Sequence, residues 1–169
     1  VCAPTGSISI YWCYTLGNLR FEDYGGTYLK QYFGGLIGEV VGPPLLSGSN
    51  VFLSHNYSQM DILTNIVDMS YLGGLLGSAR ETVDIWYCYS TGLVPEGIEN
   101  NGGLIGYIND DVTVNLCVWD METSQQTTSA GGNGKSTVEM KNSSTFSVMG
   151  WDISTTPCTS CSTYWSIYE

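Results

Sequence analysis

"FGGLIGEVV" (33–41) returns as "LGGLLGSAR" (72–80) and "NGGLIGYIN" (101–109). The first glycines, Gly34, Gly73 and Gly102, are 39 and 29 residues apart, a period found in stacked-repeat folds. A second element alternates with the first: "SISIYWCYTLG" (7–17), "NVFLSHNYSQM" (50–60), "TVDIWYCYSTG" (82–92) and "DVTVNLCVWD" (111–120). Aligned, these segments put Ile8, Val51, Val83 and Val112 in one column and Ile10, Leu53, Ile85 and Val114 in another two residues on. Branched apolar residues in alternation predict strands. No window spaces apolar residues at i, i+3, i+4 and i+7 between capping signals, and glycines interrupt most candidates, so helices are not expected. The chain therefore reads as all-β.

One such unit cannot bury its apolar face alone, whereas stacked copies share a continuous core. The predicted corners are Gly34, Gly35 and Gly38, then Gly73, Gly74 and Gly77, then Gly102, Gly103 and Gly106. Paired glycines permit positive φ and close approach of one layer to the next, with Leu36, Leu75 and Leu104 pointing inward as a ladder.

The chain has 169 residues, enough for a single domain (1–169) that buries roughly 70% of its unfolded surface. Sixteen acidic against 5 basic side chains give a net charge of −11, which argues against nucleic acid or anionic lipid as a partner. No apolar run is long enough to span a membrane, and with no initiating Met or leader pattern the chain is expected to be a mature product or an excised segment. Six cysteines and two sequons, at Asn56 and Asn142, place it outside the cell, at the cell surface or beyond it.

The alternation of "GGLIG" with "CYSTG", followed by "CVWDMETSQQTTSAGGNGKSTVEMKNSSTFSVMGWD", resembles the GLUG-motif repeats of large bacterial and archaeal surface proteins and adhesins. The likeness covers nearly the whole chain, with repeats near 34–38, 73–77 and 102–106 and a Ser/Thr/Gly-rich, Cys-containing tail over 120–169. The resemblance implies a right-handed parallel β-helix, here of about four irregular coils, used for display, adhesion or assembly rather than chemistry. Two departures stand out. The family usually carries Asn before its Cys-Tyr pair, where this chain has Trp12, His55, Tyr87 and Leu116, and Asn56 replaces the cysteine of the second copy.

Cys88 and Cys117 hold the same repeat position, so adjacent strands would bring them within reach of a disulfide. Equally, Cys13, Cys88 and Cys117 could fill one core column as thiols, although strict alternation after Ile85 would turn Cys88 outward unless a corner or bulge intervenes. Cys2, Cys158 and Cys161 are peripheral disulfide candidates. A zinc or redox role for Cys158-x-x-Cys161 lacks a second pair, and His55 is the only histidine. "SAGGNGKS" (129–136) lacks the first glycine of a phosphate loop and reads as a flexible glycine-rich loop. Glu22-Asp23, Asp110-Asp111 and Asp120-x-Glu122 could serve glycoside chemistry but fall at expected turns, Asn109-Asp110-Asp111 lacks alternating calcium ligands, and no triad is available. No cofactor, metal or enzymatic role is expected.

The leading expectation is a secreted structural protein. Neither terminus shows an amphipathic capping helix, so the repeats would self-associate through their ends or edges into a filament, tube or sheath. The alternative is a module that binds glycans or other surface proteins through its lateral face, where aromatic residues such as Trp151, Trp165 and Tyr168 could contribute. Asn142 is the better glycosylation candidate, since Asn56 shares a column with the cysteines.

Overall fold

The computed structural model describes residues 6–21, 31–44, 48–64, 70–96, 100–155 and 165–166. It is an all-β fold of parallel sheets. The first four strands are β1 (Ile8–Tyr11), β2 (Tyr14–Phe21), β3 (Gln31–Gly34) and β4 (Ile37–Val41). The same sequence of strands follows as β5 (Val51–Ser54), β6 (Tyr57–Thr64), β7 (Ser70–Gly73) and β8 (Leu76–Arg80), then as β9 (Val83–Trp86), β10 (Tyr89–Ser90), β11 (Asn100–Gly102) and β12 (Ile105–Ile108). A fourth layer begins with β13 (Val112–Asn115) and β14 (Val118–Asp120).

Pairing follows this recurrence. One sheet runs β1-β5-β9-β13, a second β2-β6-β10-β14, a third β3-β7-β11 and a fourth β4-β8-β12, all parallel. The register matches both aligned columns: Ile8, Val51, Val83 and Val112 are successive partners, as are Ile10, Leu53, Ile85 and Val114. The main core lies between the sheets. It buries Leu53, Ile85, Leu75, Leu76, Leu104 and Ile105 completely.

Gly34, Gly73 and Gly102 are stacked partners, followed by bends at 35–36, 74–75 and 103–104. None of the described corner glycines of the repeat has positive φ; the expectation of left-handed glycines is corrected to one of close approach. A Cβ on Gly34 would lie 2.7 Å from the Gly77 nitrogen and the Leu75 oxygen, and one on Gly73 would lie 2.8 Å from the Gly106 nitrogen and the Leu104 oxygen. Main chain, which cannot step aside, fills the space a side chain would take. The leucine ladder does form: Leu36 N–H donates to Leu75 and Leu75 N–H to Leu104, with Leu75 and Leu104 fully buried.

Left-handed backbone occurs instead at Trp12, His55, Tyr87 and Leu116, with φ of 59°, 58°, 51° and 54°. Each links a strand of the first sheet to one of the second. This turn settles the parity of the cysteine column, because the left-handed residue interrupts the alternation and returns Asn56, Cys88 and Cys117 to the interior.

The C-terminal region departs from the expectation of no helix. Three short helices form, α1 (Met121–Ser124), α2 (Thr137–Met140) and α3 (Ser143–Val148). Asp120, Ser136 and Asn142 cap them, Ser136 in a capping box with Glu139. The stretch expected to be a loop holds β15 (Asn133–Lys135), a parallel partner of β14. Thr128 and Ala130 extend this cover over β11 and β12 through bonds with Gly103 and Ile105. A final pair, β16 (Ile153–Ser154) and β17 (Trp165–Ser166), completes the described elements. The C-terminal end of the stack is thus covered over β11, β12 and β14, with β13 left as an edge strand among the described residues, contrary to the expectation of two bare ends.

Candidate functional site: the cysteine column and the lateral aromatic face

The inward column is a repeated hydrogen-bonding device. The Asn56 side chain donates to the Ile10 carbonyl of the preceding layer (2.9 Å), whereas the Cys88 and Cys117 thiols lie nearest the Trp86 (3.2 Å) and Asn115 (3.1 Å) carbonyls of their own turns, with the Leu53 and Ile85 carbonyls of the preceding layer at 3.9 and 3.6 Å. Asn56 Oδ1 also accepts from Cys13 N–H (2.9 Å), as Cys117 Sγ accepts from Cys88 N–H (3.4 Å). Asn56 and Cys117 thus share the role of accepting the backbone N–H of the preceding layer, and the Asn56 amide also donates to that layer. Cys88 and Cys117 are free and buried, so the bridge between them is not formed, and Cys13 is free but exposed. Burial pushes the Cys117 thiol well above its ordinary pKa. Cys2, Cys158 and Cys161 lie outside the described residues.

Asn56 is fully buried with its amide engaged, which leaves no room for a glycan in the folded protein. Asn142 is exposed at the start of α3, where its Oδ1 accepts from the Ser144 N–H (2.9 Å) and hydroxyl (2.8 Å).

Of the carboxylates considered for chemistry, Asp120 and Glu122 serve as caps, while Asp110 and Asp111 lie exposed at the turn before β13. Asp120, almost wholly buried, accepts from the N–H groups of Glu122 and Thr123 and from the Thr137 hydroxyl. Glu122 accepts from Thr137 N–H (2.8 Å), a bond that lowers its pKa. Asn109 accepts from Glu81 N–H (3.1 Å), tying two layers together. Glu22-Asp23 lies outside the described residues. No cluster of three or more potential metal ligands occurs among the described residues, and no described helix is long and apolar enough to cross a membrane.

Two aromatic ladders run along the second sheet and the turn that leads into it. Tyr14, Tyr57 and Tyr89 stack with centroids 5.2 and 4.9 Å apart, nearly parallel, on the second sheet. Trp12, His55 and Tyr87, the left-handed column, stack at 4.4 and 5.0 Å. Trp165 sits between the ladders, 6.2 Å from His55 and 5.5 Å from Tyr89, and Trp151 lies 5.2 Å from Trp165. Burial raises the Tyr89 pKa, so its hydroxyl stays neutral.

Where the C-terminal helices meet this face, a cavity of about 360 Å3 opens, with Tyr89, Phe146, Trp151 and Trp165 among its aromatic lining. Gln59, Thr91, Thr123 and Lys141 supply polar lining. A smaller cleft of about 140 Å3 lies by Tyr32, Tyr71, Tyr107 and Arg80, whose guanidinium pairs with Glu39 at 2.6 Å. The sequence singled out Trp151 and Trp165 but not the cavity, which depends on helices too short to announce themselves by periodicity.

No family model matches the chain, and neither does any curated protein or solved structure.

Proposed function

We propose that the protein is an extracellular structural subunit, a right-handed parallel β-helix whose copies join through the open strand edge at its N-terminal end. The observation that carries this reading is the asymmetry of the two ends. Among the described residues, strands β1, β2, β3 and β4 each pair on one side only, and Ile8, Tyr14 and Leu16 on this edge are 61%, 59% and 56% exposed. An edge that combines unpaired backbone groups with apolar side chains is a template for another strand. At the far end β15 covers β14 and residues 128–130 bond over β11 and β12, which leaves β13 as the single edge strand among the described residues, so the larger open surface, and the partner that fits it, is the same N-terminal end of a second copy. Such a contact is isologous and closes as a pair. Growth into the expected filament, tube or sheath would need a second contact. The GLUG-like repeats, the six cysteines and the acidic balance support placement at the cell surface.

Sedimentation velocity across a concentration range, in oxidising and reducing buffer, tests this. A reversible dimer is expected, and Leu16→Lys, which puts a charge on the open strand, should weaken it about tenfold or more. A wild-type monomer at every concentration would sink the reading. A second reading, a module that recognises glycans or surface proteins through its lateral face, is favoured by the cavity beside Trp165.

A further inference from the structure

The lateral cavity has two kinds of wall. Tyr89, Trp151 and Trp165 bring aromatic rings, and Trp151 is fixed by its indole N–H, which donates to the Leu116 carbonyl at 2.9 Å. Gln59, Thr91 and Thr123 bring an amide and two hydroxyls. Among the described lining residues Lys141 is the one cation, and Asp120, the one carboxylate, is taken up by the cap of α1 and by the Thr137 hydroxyl of α2. The indole N–H of Trp165 is shielded from solvent and has no acceptor. A donor with no accessible surface is also closed to a ligand in the cavity, so Trp165 offers its ring and not its N–H.

We infer that this cavity binds one ring of a neutral pyranose, its C–H face against the aromatic wall and its hydroxyls toward Gln59, Thr91 and Thr123. The volume of about 360 Å3 falls within the usual range for small-ligand sites. Aromatic faces accept the apolar face of a sugar, while amides and hydroxyls both donate and accept as sugar hydroxyls require. Charge decides against the neighbouring ligand classes. A quaternary ammonium would meet Lys141 with no free carboxylate beside it, and an acidic sugar would meet the field of a chain with net charge −11. The assignment rests on the lateral-face reading and is independent of the edge contact.

The full chain would be titrated with methyl glycosides of glucose, galactose, mannose and xylose, following tryptophan fluorescence and the Trp165 indole N–H resonance. Tetramethylammonium and glucuronate are the charged comparators. At least one neutral glycoside should give a saturable shift of that resonance. Trp165→Ala and Gln59→Ala should each weaken the fluorescence-detected binding about tenfold, with the circular dichroism melt of the repeats retained. Gln59→Ala, on β6, keeps the test decisive if the Trp165 variant disturbs the C-terminal arm. A response only to a charged comparator overturns the proposal. Glycoside binding unchanged in both variants overturns the cavity but leaves the lateral-face reading standing, and no response to any sugar on a wider glycan panel removes both.

Discussion

Trp12, His55, Tyr87 and Leu116 share a left-handed backbone that costs a non-glycine residue about 1–2 kcal/mol. Three of them are rings in one stack, and each aromatic contact offsets about 0.5–1.5 kcal/mol of that cost. Leu116 has no such compensation, while its carbonyl holds Trp151 through the backbone alone. Leu116→Asn should therefore raise stability by about 1 kcal/mol, and Tyr87→Asn should gain nothing or lose, as read by urea denaturation. His55 adds a pH dependence. Burial lowers its pKa below the ordinary 6.5, so the unfolded chain binds the proton more readily than the folded one. Stability is then full above the unfolded pKa and falls as pH drops through it. Melting temperature should decline between about pH 7 and 5, before Glu122 and Glu139, whose pKa values are lowered by backbone N–H groups, begin to protonate. His55→Phe should flatten that first decline. A profile equally steep in the variant would show that another group is responsible.

The strand pairs and the glycine bends set the spacing between layers, and the two have different tolerances. Gly73→Ala would drive a methyl group into the backbone of the next layer and should cost about 3 kcal/mol, whereas Gly6→Ala, with open space around its Cβ position, should be nearly neutral. Equal denaturation midpoints for the two variants would contradict the close-approach account. Much at this scale was legible beforehand. The columns headed by Ile8 and Ile10 gave the register because parallel layers align equivalent residues, and the repeated GGL located the bends. Positive φ was assigned to the wrong residues, since glycine permits a left-handed backbone but does not require it, while Trp12 and Tyr87 are held there by stacking. The alignment put the Asn56 sequon in the cysteine column, which made Asn142 the better candidate, but it could not decide whether that column faced the core. Helices α1, α2 and α3 escaped notice because four to six residues show no periodicity, although the Ser136-Glu139 capping box was present in the letters. The cavity was illegible for the same reason, as it exists only where those helices fold back over Tyr89 and Gln59.

At the scale of the whole molecule, the C-terminal region determines how the stack can grow. Val118, Phe146 and Trp151 form a small core of their own, with Tyr87, Tyr89 and Trp165 packed around it, and β15 occupies the edge of β14. Trp119 is held beneath this cover by its indole N–H bond to the Gln126 carbonyl at 3.0 Å. In the proposed assembly, β15 and residues 128–130 cover most of the C-terminal end, β13 alone keeping an unpaired edge there among the described residues, so copies meet at the N-terminal edge and the contact closes as a pair. Repulsion between two copies of charge −11 opposes that pairing at low ionic strength, so added salt should tighten it. Ending the chain at Asp120 would remove the cover and expose Val118, Trp119 and the β14 edge. The molecule would then present two different open ends, a heterologous arrangement that propagates without closing. The shortened chain should form regular fibres visible by negative-stain electron microscopy while keeping the β-type circular dichroism of the full chain. Leu16→Lys in the same background should suppress them, because the growing contact still needs the N-terminal edge. A shortened chain that stays folded and monomeric would mean that the C-terminal cover does not limit assembly.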